Sequence, residues 1–224
     1  EIGVRLVGSE MCIRDRDTEE MIGFVRNFPN DCSSAFNRLD DEHHPWLSSI
    51  ATKVWSSWLC IGMGGSAAAG SFISDLSNHE GNTAIRIHRD YGLPSWWNTD
   101  TLVVATSYSG NTEETIDAVE KAIAKGGTII AICSGGKLSG LADIHDNVHL
   151  VLIPGGQPPR SAFGHLLGSQ LSLAWALGVL QRPSDEEIVR MVERMRKHVS
   201  DADFLNGVSE ISELAVELSF VIVV

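Results

Sequence analysis

The 224-residue sequence predicts an α/β fold, a three-layer αβα sandwich around a five-stranded parallel sheet of flavodoxin/Rossmann-like type, followed by helices. Three observations predict it. Five short apolar runs alternate with helical patterns. Consecutive parallel strands need such crossovers, which cover the sheet on both faces. Two of the strand–turn–helix junctions, WLCIGMGGSAAAG (58–70) and TLVVATSYSGNTEET (101–115), end in loops rich in Gly, Ser and Thr.

The elements follow in order. Residues 1–16 are set aside: LVGSEMCIRDR (6–16) reads as a sequencing-library adapter translated in one frame, and the expectation is a non-native leader. Residues 17–55 hold helices. Asp17 to Phe28 has helical spacing, with Asp17 and Thr18 as caps and Pro29 as its stop, and a short helix follows over 32–39. Residues 56–155 form the sheet domain. Its strands are Trp58–Ile61, Ala84–Ile87, Thr101–Ala105, Thr128–Cys133 and Val148–Ile153. Helices are expected over 66–77, 112–125 and 138–142. Residues 156–217 form a helical connector. It has a long apolar helix over 161–180, one capped by Ser184 and running to Val199, and one over 204–218. The last residues, 218–224, read as the first strand of a second, truncated domain, so the chain is expected to be a fragment.

Composition narrows the partners. A formal net charge of −12 argues against nucleic acid, which needs a basic face. No run of about 18 apolar residues is present, so no membrane span is expected. Cys12, Cys32, Cys60 and Cys133 have neither CxxC pairing nor framework spacing, which fits a reduced, cytoplasmic protein. His145 and His149 cross from turn to strand and share no helical face, so no metal is expected.

The two loops carry the chemistry. A helix N-terminus presents free N–H groups and partial positive charge, a ready anion site. Ser and Thr hydroxyls donate to phosphate oxygens without adding charge. Two such loops at the carboxyl ends of neighbouring strands grip one phosphate from two sides. Capping by Ser66, Asn111 or Thr112 is the plain alternative, and it accounts for one or two hydroxyls rather than all. Glu113 and Glu114 belong to the first helical turn and are expected to point away from an anion. Gly62, Gly64 and Ala67, with Asp90 downstream, also make a weak dinucleotide fingerprint. Trp55, Trp58, Trp96 and Trp97 read as packing groups. His165 lies near enough to Arg160 in sequence to approach the site.

GMGGS, then SYSGNTEET, then PPRSAF resembles the sugar isomerase (SIS) domain family over about residues 20–224. More narrowly, it is similar to the dual-specificity phosphoglucose/phosphomannose isomerases. The resemblance implies that Gly65, Ser66, Ser107, Ser109 and Thr112 bind the phosphate of a hexose. It implies that Arg160, stiffened by Pro158 and Pro159, faces the reacting carbons. It implies enediol proton transfer in glycolysis and gluconeogenesis, no cofactor, and a homodimer in the full-length parent. The family's general base (a Glu), a His of the facing subunit and a Lys near the C-terminus are not assignable here, so these 224 residues are expected to be inactive. A regulatory sugar-phosphate-binding module and another SIS enzyme are the alternatives.

Overall fold

The computed structural model describes residues 21–199. The adapter-like leader, the caps at Asp17 and Thr18, the helix over 204–218 and the strand 218–224 lie outside the described residues.

Twelve elements are described: α1 (Met21–Phe36), α2 (Leu47–Ala51), β1 (Ser57–Ile61), α3 (Gly64–Glu80), β2 (Ala84–His88), β3 (Thr101–Thr106), α4 (Glu113–Ala124), β4 (Ile129–Cys133), α5 (Gly136–Ile144), β5 (Val148–Leu152), α6 (Phe163–Ala176) and α7 (Asp185–Val199). The five strands form one parallel sheet in the order β2-β1-β3-β4-β5. This is the flavodoxin-like order, and its direction reverses between β1 and β3.

The apolar runs are buried on both sides because successive side chains point to opposite faces. Trp58, Cys60, Leu102, Val104, Ile130 and Ile132 face α3 and α6. Leu59, Ile61, Val103, Ala105, Ile129 and Ala131 face α4 and α5. A third small core, Cys32 and Phe36 with Ile188 and Val192, joins α1 to α7. Burial in that core pushes the Cys32 thiol up to about 12, with Asp31 adding to the effect.

Two expectations need correction. Pro29 does not stop a helix; it lies inside α1, which is one continuous helix. An internal proline costs roughly 3 kcal/mol through a lost N–H bond and a clash. Beyond it, burial of Cys32, Ala35 and Phe36 outweighs that cost, since each large side chain contributes about 1.5–3 kcal/mol. The partner surface allows close approach: a Cβ on Gly168 of α6 would stand 2.5 Å from the Ala35 Cβ. The apolar helix is also shorter than expected, ending at Ala176. Gly178 has φ +68°, its N–H donates to the Trp175 carbonyl and the Val179 N–H to that of Ala174. That pairing is a Schellman stop. Ser184 caps α7 as expected, and Glu187 returns the bond to the Ser184 N–H at 2.9 Å.

Candidate functional site

Both hydroxyl-rich loops lie at the carboxyl ends of adjacent strands, β1 and β3. They touch through backbone: a Cβ on Gly62 would stand 2.8 Å from the Thr106 carbonyl oxygen, so only glycine permits the approach. Each loop opens a helix that no side chain caps. The capping alternative therefore fails at both. Ser66 is the third residue of α3, behind Met63 at the cap position, and is half-buried. Gly65 is exposed in the same first turn.

Thr112 occupies the cap position of α4, but its hydroxyl lies 2.8 Å from Ser107 Oγ. Two paired hydroxyls use one of their two protons on each other, so one O–H stays free for an outside acceptor. Ser107 is buried at the loop floor, while Ser109 is exposed and accepts the Asn111 N–H at 3.2 Å. Gly110 turns the chain with φ +67°. Any side chain there would overlap the Gly135 carbonyl oxygen. The neighbouring loop after β4 braces the turn: Ser134 donates its N–H and its hydroxyl to the Tyr108 carbonyl, and the Leu138 N–H bonds Gly110.

Of the first-turn carboxylates, Glu113 is engaged elsewhere. Glu113 Oε2 accepts from the Tyr91 hydroxyl at 3.4 Å. Glu114, then burial and Glu113, hold the Tyr91 phenol above its ordinary value. Asp90 is exposed and accepts its neighbour's N–H.

Arg160 is exposed in the loop between β5 and α6, with no hydrogen bond or ion pair to the described residues. That loop is tied to the hydroxyl loop, because the Gln157 N–H donates to the Tyr108 hydroxyl oxygen at 3.0 Å. His165 is placed differently from expectation. It is 4% exposed, and its Nε2 lies 3.4 Å from Asp31 Oδ1 of α1. Burial lowers its basicity below the ordinary imidazole value against the pull of Asp31. Trp58 and Trp97 are buried packing groups, as expected, and Trp55 is half-buried, whereas Trp96 is exposed with the Arg86 guanidinium over its ring. A groove of about 410 Å³ between α1 and α7, lined by Ser33, Asn37, Arg182 and Arg196 among others, contains none of these hydroxyls.

The SIS domain family model matches residues 54–180, which take in all five strands and both hydroxyl loops. The chain belongs to the SIS domain family. Among curated relatives, the bifunctional phosphoglucose/phosphomannose isomerase of Caldicellulosiruptor bescii is 40% identical over 138 residues, covering 61% of this chain and 40% of that protein. The like-named protein of Thermoplasma acidophilum is 37% identical over 162 residues, covering 72% of this chain and 46% of its own. The chain thus spans less than half the length of these relatives. Among solved structures, tagatose-6-phosphate ketose/aldose isomerase of Escherichia coli matches with TM-score 0.60 at 19% identity, covering 85% of this chain and 56% of that one. The Vibrio vulnificus NanR protein complexed with ManNAc-6P matches with TM-score 0.54 at 20% identity, covering 85% and 73%. At such identities the likeness shows the fold alone.

In this SIS domain the residues that stand behind the loops were missed by sequence reasoning, except Asn111, which it weighed only as a cap. Tyr108, Asn111, Ser134, Gln157 and Gln170 carry the bonds that fix them. Gln170 of α6 donates to Thr106 Oγ1 at 3.0 Å, under the end of β3. Its signal was available: a Gln beside a Ser in an otherwise apolar helix is a buried polar group that needs a partner.

Proposed function

We propose that this SIS domain carries the phosphate-gripping half of an aldose–ketose isomerase acting on glucose 6-phosphate or mannose 6-phosphate and forming fructose 6-phosphate. The observation that carries the reading is the pair of uncapped helix N-termini, side by side at β1 and β3, with free hydroxyl capacity between them. Gly65 offers backbone N–H, and Ser66, Ser107, Ser109 and Thr112 offer hydroxyls to the phosphate oxygens. Such a cradle needs no cation, which suits an acidic chain.

Arg160 is proposed to face carbons 1 and 2 of the sugar. A base removes the proton from one of these carbons, leaving an enediolate whose oxygen the guanidinium stabilises. A positioned donor to such an oxygen contributes roughly 3–4 kcal/mol at the transition state. The base itself belongs to the part of the family pattern not assigned here. Turnover, and the homodimer that supplies a facing His, are therefore proposed for the whole protein, in the cytoplasm. The curated relatives' shared name supports this choice over a regulatory module.

The test is thermal unfolding with and without fructose 6-phosphate or 6-phosphogluconate. At 100 times its dissociation constant, a ligand stabilises the fold by about 2.7 kcal/mol. The midpoint should rise with the phosphorylated sugar, not with fructose, and the rise should vanish in Ser107→Ala with Ser109→Ala. An equal rise with the unphosphorylated sugar would refute the phosphate cradle.

A further inference from the structure

A buried polar chain runs from α1 to the hydroxyl loop. It begins at Asp31, a carboxylate only 4% exposed. Two donors bond it, Asn27 Nδ2 at 2.6 Å to Oδ1 and Gln157 Nε2 at 3.1 Å to Oδ2, and His165 Nε2 lies 3.4 Å from Oδ1. Gln157 is the middle link. Its side-chain amide reaches back to Asp31, while its backbone N–H reaches forward to the Tyr108 hydroxyl. Tyr108, 7% exposed, sits between Ser107 and Ser109. Its own carbonyl takes two bonds from Ser134, so its backbone is fixed as well.

Such an arrangement is costly unless it does something. A buried carboxylate needs its hydrogen bonds complete, and an apolar residue would fill the same space without that demand. The chain joins two segments that no backbone ladder joins. One is the loop 153–162, whose tip carries Arg160. The other is the loop 107–112. We propose that Asp31, Gln157 and Tyr108 are positioning residues: they hold the Arg160 loop in one register against the hydroxyl loop, so that a ligand anchored by its phosphate meets the guanidinium at its sugar end. This rests on the sugar-phosphate reading above. It assigns a task to three residues outside the phosphate cradle.

The register predicts a split between ligands. A sugar phosphate spans both loops, whereas inorganic phosphate occupies one. Tyr108→Phe removes only the hydroxyl and keeps the packing, and Gln157→Ala removes the link to Asp31. For each variant of the full 224-residue chain, the dissociation constant for fructose 6-phosphate should rise about three- to tenfold, the weight of one neutral hydrogen bond. That for inorganic phosphate should not change. Arg160→Ala should give the same split, and Tyr108→Phe with Arg160→Ala should be no worse than Arg160→Ala alone, because coupled residues are not additive. Without any ligand, amide exchange over residues 155–162 should quicken in Tyr108→Phe.

Equal weakening toward both ligands would mean a merely structural role and overturn the proposal. So would fully additive losses, or unchanged exchange over 155–162. Failure of the wild-type chain to prefer fructose 6-phosphate over fructose would sink the sugar-phosphate reading and this proposal with it. A normal wild type with unaffected variants would sink only this proposal.

Discussion

The two hydroxyl loops occupy equivalent places, at the carboxyl ends of adjacent strands, with opposite construction. Loop 107–112 is braced from three directions: by β4 through Ser107 N–H to Ile132, by the 134–138 segment, and by Gln157. Loop 62–66 has little more than its own first turn, with Ser66 and Ala67 N–H bonding Met63 and Gly62 N–H bonding His88. Gly64 and Gly65 are exposed, with open space where a Cβ would stand. The contrast teaches that one side of the proposed anion cradle is braced by its neighbours while the other is open.

The sharpest way to break the comparison is a matched pair of glycine replacements. Gly110→Ala meets a positive φ and the Gly135 carbonyl together. The left-handed backbone alone costs about 1–2 kcal/mol, and the overlap adds to it, for a total of about 3 kcal/mol or more. Gly65→Ala meets nothing and sits in a helix, so stability should rise by about 0.5–1 kcal/mol. Chemical denaturation of the two variants measures both. Similar losses in the two would show that the loops are equally rigid.

The next largest effect concerns binding. Ser107→Ala removes a buried hydroxyl with a fixed partner, and a hydrogen bond to a charged group contributes about 1.5–3 kcal/mol, roughly 10- to 100-fold in affinity. Ser66→Ala acts on the half-buried, less braced side and should cost about threefold, at the neutral end of the range. Calorimetric titration with a sugar phosphate ranks them. Ser66→Ala exceeding Ser107→Ala would reverse the assignment of the rigid side.

How much of this was legible depended on range along the chain. The five strands and the adjacency of the loops follow from local apolar runs and βα alternation, which is why Trp58–Ile61 and Thr101–Ala105 lie inside the observed β1 and β3. The hydroxyl residues stood out as candidates because too many of them lay in one turn for capping to use. Pro29 was misread because its local cost is visible in sequence, while the packing of Phe36 on α7 is not. The cap alternative weighed for Ser66 does not hold, because the helix begins two residues earlier, behind Met63, and a cap shift of a few residues leaves no trace in composition. Tyr108, Gln157 and Asp31 were invisible for the same reason: their bonds join residues far apart in the chain, and no spacing rule connects them.

The smallest prediction tests whether acid loosens the braced side. Burial is the first cause that lowers His165, His149 and His44 below the ordinary imidazole value. As pH falls through about 6.5, these rings in the unfolded chain take up protons before the folded ones do. The unfolded state then binds more protons, so stability drops with falling pH until the lowered folded values are reached. His165 faces Asp31, whose negative charge opposes this shift, and Arg38, whose charge reinforces it. His165→Gln keeps an amide donor toward Asp31 and removes the titration. Its unfolding midpoint should therefore fall less between pH 7 and pH 5 than that of the wild type. A slope identical to wild type would mean that His165 carries none of the acid sensitivity and that groups outside the brace carry it.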